Sequence, residues 1–141
     1  MKIFILEDEV SCNPIIEWIK CRFDVVHAKN IEDATYYLEY EGENIQCDKF
    51  IFDASVPAAT VTHIDGKEET FNGALNGIKY MISCIQRMEL DRPGNKIAVL
   101  TAFDLQVKNY PIPENIRKKI EVISKNDNDL VKLLQNFLGP N

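Results

Sequence analysis

The sequence predicts an α/β fold in which a doubly wound, five-stranded parallel sheet of strand order 2-1-3-4-5 carries helices on both faces. Short segments rich in β-branched and aromatic residues alternate five times with segments whose apolar residues recur at helical spacing. The length of 141 residues suits one domain with its own core. Strands that alternate with helices run parallel and are joined by right-handed crossovers. The predicted strands cover residues 2–6, 23–28, 49–53, 96–100 and 120–124.

The first strand ends at three successive acids, Glu7, Asp8 and Glu9. Such acids usually form a solvated turn, but these directly follow a buried strand, where like charges repel one another unless a cation lies among them. A helix is predicted to begin around Pro14, because proline is favoured in the first helical turn, and to end near Arg22.

The second strand is followed by Asn30, a residue type that commonly caps helices. The helix after it is predicted to run through Tyr40 and to end at Gly42. His27 lies in this strand or just after it. Because no second histidine or cysteine lies at metal-ligand spacing from His27, we expect it to be structural or exposed.

The third strand carries the residue on which the functional prediction depends most. Its residues Phe50, Ile51 and Phe52 favour extended backbone, and the segment is too short for a buried helix. The strand ends abruptly at Asp53, and Pro57 closes the following turn. A lone aspartate at such a position is usually a turn former or a helix cap. A functional role for Asp53 is therefore inferred only together with the polar residues at the other strand ends.

Residues 58–73 form a polar segment that is longer than the usual connection in such a fold. Three alternatives are open for this insertion. It is a lid or partner surface, an inert disordered excursion, or a small hairpin in which Asp65 and Gly66 turn the chain between Val61 and Phe71.

Beyond the insertion, Gly73 and Gly77 lead into a predicted helix in which apolar residues from Leu75 to Met88 recur at the spacing of a core-facing helix. The fourth strand ends at Thr101. Pro111 and Pro113 prevent a continuous helix after it, so two short helices are expected there.

The fifth strand is followed by Lys125. A final helix, capped by Asp127 or Asn128, is predicted to end at Gly139.

Composition excludes several function classes. The net charge of −6 argues against general binding to nucleic acid or to anionic membranes, because both need a basic surface. No stretch has the pattern of a signal peptide or the length to span a bilayer, so a cytoplasmic protein is expected. The cysteines lack the paired spacing of zinc or redox sites and are expected to be buried or half-buried thiols. They are Cys12, Cys21, Cys47 and Cys84.

The predicted strand order brings the polar strand ends together at the carboxyl edge of the sheet, where ligands bind in open parallel sheets. The first and third strands are neighbours, so Asp8 and Asp53 lie side by side, with Thr101 and Lys125 on the strands beyond. Converging carboxylates favour a hard cation, and Mg²⁺ suits one or two carboxylates plus a phosphoryl oxygen. The central Asp53 is the predicted nucleophile.

Four sequence runs at these strand ends resemble the receiver domain of bacterial two-component response regulators. They are Ile-Leu-Glu-Asp-Glu after the first strand, Asp-Ala-Ser-Val-Pro after the third, Leu-Thr-Ala after the fourth and Ser-Lys after the fifth. The resemblance covers nearly the whole chain and implies the flavodoxin-like or CheY-like form of the predicted fold.

The resemblance implies a phosphorylation site and a metal site. Asp53 would be the phosphoacceptor. Asp8, Asp53 and the backbone carbonyl of Ser55 would bind Mg²⁺, with Glu7 acting through water.

The remaining site residues and the partners follow from the same resemblance. Lys125 would supply positive charge and Thr101 a hydroxyl donor to the phosphoryl oxygens. A histidine kinase, a phosphotransfer protein or a small acyl phosphate would donate the phosphoryl group. Movement of the Thr101 loop would then change binding to an output protein, so the chain is expected to be a signalling domain and not a turnover enzyme.

The sequence departs from the family pattern at three places. Val122 occupies the position, three before Lys125, at which the family usually carries its switching aromatic residue. Asn126 replaces the usual proline, and the fourth helix is interrupted at residues 111–113. These departures put the usual output surface in doubt more than the chemistry, and the insertion borders the same site.

Two other functions stay open. A Mg²⁺-dependent phosphohydrolase would also use Asp53, but Ser55 stands where a general acid would be needed. The altered switch positions would also suit an unphosphorylated scaffold. Because the chain ends two residues past Gly139, we expect either a stand-alone receiver that binds partners or relays phosphate, or an excised fragment of a longer protein. Its kinase, output partner and oligomeric state do not follow from these residues.

Overall fold

Five parallel strands form the centre of the computed structural model, which describes residues 2–8 and 13–140. The order of the main sheet is β2-β1-β3-β6-β7, which is the predicted order 2-1-3-4-5 with an extra hairpin between the third and fourth of its strands. Within the described residues the strands are β1 (Lys2–Leu6), β2 (Asp24–Ala28), β3 (Lys49–Asp53), β4 (Ala59–Thr62), β5 (Glu68–Phe71), β6 (Lys96–Thr101) and β7 (Ile120–Ser124).

The sheet register brings the carboxyl ends of the central strands to one edge. Leu6 of β1 pairs with Phe52 of β3, and Asp53 of β3 pairs with Leu100 of β6. The residues that follow these pairs therefore meet where the sequence places its polar strand ends.

Helices cover both faces of the sheet, as predicted. In the described part of the chain they are α1 (Asn13–Lys20), α2 (Ile31–Thr35), a π-helix (Tyr36–Tyr40), α3 (Gly42–Ile45), α4 (Asn76–Met88), α5 (Asp104–Asn109), α6 (Glu114–Arg117) and α7 (Leu130–Leu138). None of these helices combines the length and apolar character that a bilayer span requires.

Alternate residues of β3 supply the two cores. Phe50 and Phe52 pack with α2, α4, α5 and α6 on one face, whereas Ile51 packs with α1 and α7 on the other. The strand is buried along its whole length because both faces are covered, which explains its continuous apolar run.

The second helical region differs from the prediction in two ways. The helix is α-helical only to Thr35 and continues as the π-helix, in which the Glu41 N–H donates to the Tyr36 carbonyl at 3.0 Å. The helical segment ends at Tyr40, as predicted, but Gly42 then begins the short helix α3, which was not predicted. The wider turn leaves Leu38 in the core while the Glu39 side chain reaches the inserted hairpin.

The insertion folds as the hairpin among the three alternatives. Strands β4 and β5 pair antiparallel, and Gly66 in the turn has a φ of +88°, a conformation that glycine adopts without strain. Val61 and Phe71 are buried against the main domain. Their burial rules out an inert, disordered excursion.

A buried charged cluster anchors the hairpin. His63 is buried, with Nδ1 lying 2.6 Å from Glu39 Oε2 in the π-helix and Nε2 lying 2.8 Å from Glu69 Oε1 in β5. The hydroxyl of Ser83 in α4 donates to the same Glu69 oxygen at 2.7 Å. Both ring nitrogens of His63 therefore bond to carboxylates, and the hairpin is tied to the π-helix and α4 together.

Other local predictions have mixed outcomes. The two short helices around residues 111–113 are confirmed, whereas the residue preceding α7 is Asp129, so neither predicted cap occupies that position. Asp127 instead accepts a hydrogen bond from the Asp129 N–H at 2.8 Å, forming a local turn. Among the cysteines, Cys84 is buried and Cys47 half-buried, but Cys21 is exposed against expectation, and Cys12 lies outside the described residues.

We predict that Gly77→Ala destabilises the domain strongly. A Cβ at Gly77 would lie 1.7 Å from the backbone oxygen of Asp53, so α4 and β3 could not keep their present separation. The free energy of unfolding in urea is expected to fall by roughly 2 to 4 kcal/mol. Gly42→Ala is the matched control, because nothing lies within 4 Å of its added Cβ. Equal stability of the two variants would contradict the close approach.

Candidate functional site

The Asp53 side chain lies at the carboxyl end of the most buried strand. The residue is only 2% exposed, although aspartate is rarely buried without a partner. Its Oδ1 accepts a hydrogen bond from the Ser55 N–H at 3.2 Å. Its Oδ2 is also buried and lies 3.3 Å from the Lys125 ammonium. Both carboxyl oxygens are therefore in contact with other residues of the site.

Two further carboxylates come from the end of β1. Glu7 is buried, whereas Asp8 is exposed. One carboxylate oxygen from each of Glu7, Asp8 and Asp53 lies within 4.8 Å of the other two. The acids that the sequence places side by side are therefore neighbours in the structure.

Lys125, which follows β7, is the cation of this cluster. Its Nζ lies 3.1 Å from Glu7 Oε2 and 3.3 Å from Asp53 Oδ2, and its side chain is only 7% exposed. Its backbone N–H donates to the Thr101 carbonyl at 2.7 Å, which fixes the start of the loop to β6. Glu7 contacts Lys125 directly.

One ammonium does not fully compensate the buried carboxylates. Burial and the nearby Glu7 carboxyl together raise the pKa of Asp53 to about 8, although Lys125 and the Ser55 N–H act in the opposite direction. When Asp53 is ionised, the site therefore carries more negative than positive charge, which a bound cation could neutralise.

The chemistry of the donor set fits a hard divalent cation. The three acids offer only oxygen ligands, and Asp8 lies on the solvent side, where the ion could retain waters. The buried Asp53 Oδ2, which lies 3.3 Å from the Lys125 ammonium, is a further oxygen that such an ion could contact. Ser55 lies half-buried on the loop that directly follows Asp53.

Thr101 is fully buried at the end of β6, one residue beyond the partner of Asp53 in the sheet. Its Oγ1 accepts a hydrogen bond from the Phe103 N–H at 2.7 Å. The hydroxyl oxygen therefore holds the loop after β6, and its proton is still available to an acceptor.

Comparison with protein-family models and with curated proteins found no match. Comparison with solved structures found many similar folds. The N-terminal domain of a response regulator/sensory box/GGDEF protein from Carboxydothermus hydrogenoformans has a TM-score of 0.59 at 18% identity, covering 98% of this chain and 90% of that chain. A CheY-like receiver domain protein from Methanospirillum hungatei has a TM-score of 0.58 at 17% identity, covering 96% and 90%. The fold is that of a response regulator receiver domain.

Two further structures with the receiver fold contain divalent metals. TrrA from Thermotoga maritima, solved in complex with Mg²⁺-BeF, has a TM-score of 0.58 at 17% identity and covers 96% of this chain and 97% of that chain. The response regulator Rcp1, solved in an Mn²⁺-bound form, has a TM-score of 0.57 at 16% identity, with 96% and 89% covered. At these identities the comparison establishes the shared fold.

Two of the three departures from the receiver pattern lie on β7 and in the loop after it. Val122 is 47% exposed on this edge strand. Asn126 donates from its side-chain amide to the Ala102 carbonyl at 3.1 Å, and from its backbone N–H to Ser124 Oγ at 3.1 Å. Asn126 thus joins the loops after β6 and β7 through its side-chain amide, a group that proline lacks.

Sequence reasoning missed the residues that hold the loop after Asp53. The Gly77 N–H donates to the Ala54 carbonyl at 3.0 Å, and Asn76 Nδ2 donates to the Val56 carbonyl at 3.1 Å. The Asn-Gly pair at the start of α4 was an available signal, but it is more often typical of turns. His27 was expected to be structural, and its Nε2 lies 2.9 Å from the Glu7 carbonyl oxygen.

We predict that Asp53→Asn stabilises the metal-free domain in a pH-dependent way. The pKa of Asp53 is raised to about 8 in the native state. At any pH between the ordinary carboxyl pKa and this value, the native state therefore keeps a proton on Asp53 that the unfolded chain has released. Wild-type stability therefore falls as the pH rises through this window, whereas asparagine does not ionise. The gain in unfolding free energy is expected to be larger at about pH 8 than at about pH 5 by at least about 1 kcal/mol.

Urea unfolding in a buffer with a chelator checks this result. Asp24→Asn is the control, since that exposed carboxylate only approaches Lys2, at 3.7 Å. A stability difference for Asp53→Asn that is independent of pH would show that Asp53 is ionised throughout.

Proposed function

We propose that the chain is a receiver domain that accepts a phosphoryl group on Asp53 in two-component signalling. The observation that carries the proposal is the position of the Lys125 ammonium, 3.1 Å from Glu7 and 3.3 Å from Asp53 at the carboxyl edge of the sheet. This arrangement places a nucleophile beside a fixed positive charge, as phosphoryl transfer needs.

Asp8, Asp53 and the backbone carbonyl of Ser55 are the proposed ligands for Mg²⁺, with Glu7 acting through water. The acidic cluster and its excess negative charge support this assignment. Bound Mg²⁺ would supply positive charge to the phosphoryl oxygens.

In the proposed reaction an Asp53 oxygen attacks phosphorus and forms an acyl phosphate. The P–N bond of a phosphohistidine, or the P–O bond of a small acyl phosphate, breaks, and its electron pair leaves with the donor. Lys125 pairs with one phosphoryl oxygen and the Thr101 hydroxyl donates to another. Movement of Thr101 towards the phosphoryl group would carry its loop with it, because the Thr101 oxygen accepts a hydrogen bond from the Phe103 N–H.

A histidine kinase or phosphotransfer protein is the proposed donor, and an output protein would recognise the phosphorylated state. The inserted hairpin changes the surface that such proteins would meet, since it begins directly after the loop that follows Asp53.

We predict that a small acyl phosphate with Mg²⁺ adds about one phosphoryl group per chain, and that Asp53→Asn abolishes the addition. Intact-mass spectrometry measures the modification directly. Asp48→Asn is the matched control, because Asp48 immediately precedes the same strand but lies at its amino end, and this variant is expected to be modified like the wild type.

The outcomes separate the alternatives. A folded wild-type chain that stays unmodified, while an ordinary receiver domain is modified in the same tube, would favour the scaffold function. Many turnovers of a phosphate ester would favour the hydrolase. Modification that persists in Asp53→Asn would place the acceptor elsewhere.

A further inference from the structure

The peptide group that contains the Ser55 carbonyl is held from both sides by the start of α4. The preceding carbonyl, that of Ala54, accepts from the Gly77 N–H at 3.0 Å. The following carbonyl, that of Val56, accepts from Asn76 Nδ2 at 3.1 Å. Because peptide groups are planar, fixing the two neighbouring groups restricts how far the Ser55 carbonyl can rotate.

The same asparagine also closes the base of the inserted hairpin. Asn76 Oδ1 accepts a hydrogen bond from the Gly73 N–H at 2.6 Å, while its Nδ2 bonds to Val56. Val56 lies just before the insertion and Gly73 lies at its end. One buried side-chain amide therefore joins the two ends of the segment that interrupts this loop.

We propose that Asn76 is a positioning residue for the metal site, which fixes the direction of the Ser55 carbonyl and isolates it from motion of the hairpin. This inference rests on the proposed function, because it takes the Ser55 carbonyl as a metal ligand. Asn76 would not contact the metal ion itself, because its side-chain amide bonds to the Val56 carbonyl and the Gly73 N–H.

The physical reason is that the insertion makes the loop harder to hold. A longer loop has more conformations to lose when its ends are fixed, so the chain needs additional bonds at the base of the hairpin. Without the Asn76 amide, the Val56 carbonyl and the Gly73 N–H would each lose a hydrogen-bond partner. Residues that orient metal ligands in this indirect way commonly change metal affinity by about 10- to 100-fold when they are removed.

The test compares Asn76→Ala with Asn95→Ala in the whole chain. Asn95 is a matched control because its Nδ2 also donates to a backbone carbonyl, that of Leu90, at 3.1 Å, but beyond the other end of α4. The Mg²⁺ dissociation constant is measured by isothermal titration calorimetry, and urea unfolding reports stability.

We predict that Asn76→Ala weakens Mg²⁺ binding about tenfold, while Asn95→Ala changes it by less than about twofold. Asn76→Ser keeps a small polar residue at the start of α4 and serves if the alanine variant does not fold. It is expected to show a loss of Mg²⁺ affinity in the same direction.

Wild-type affinity in a folded Asn76 variant would overturn the positioning role. An equal loss in Asn95→Ala would also overturn it, because the effect would then reflect general destabilisation. If the wild-type chain does not bind Mg²⁺, the proposed metal site itself fails, and the inference fails with it. Mg²⁺ binding by the wild-type chain therefore tests the proposed metal site, and the comparison with the Asn76 variants tests the positioning role.

Discussion

The structure depends on one electrostatic constraint, which is the burial of the Asp53 and Glu7 carboxylates around the single ammonium of Lys125. Taking these charges out of water costs free energy that their mutual attraction only partly offsets. The raised pKa of Asp53 expresses the remaining imbalance. A domain optimised for stability alone would replace this cluster with apolar residues. Its presence at a ligand-binding edge supports a role in binding a cation and an incoming phosphoryl group.

The rest of the fold holds that cluster in place. The parallel register aligns the ends of β1, β3, β6 and β7, and the close approach of Gly77 to Asp53 fixes α4 against the central strand. The inserted hairpin does not loosen this arrangement, because buried Phe71 and the His63 cluster attach it to the domain. The chain thus adds a structural element directly beside the proposed site while keeping the loop after Asp53 tied to α4.

Much of this could be predicted from the sequence, because apolar strands that end in polar residues have a simple pattern and the order of a doubly wound sheet then brings those residues together. The rest depends on tertiary contacts. Val61 and Phe71 lie in a mostly polar segment whose other large apolar residue, Ile64, is exposed, so their burial became evident only in the folded chain. Helical spacing does not distinguish an α-helix from a π-helix, and Gly42 can begin a helix as well as follow one. The bonds of Asn76 join segments far apart in sequence, which local patterns do not reveal.

The most direct test of the central claim is a ¹³C NMR titration of the Asp53 carboxyl carbon, first with a chelator and then with Mg²⁺. We predict that the pKa of Asp53 is raised above the ordinary carboxyl value without metal and falls when Mg²⁺ is added, because the cation stabilises the charged form. An ordinary pKa that does not respond to Mg²⁺ would contradict it.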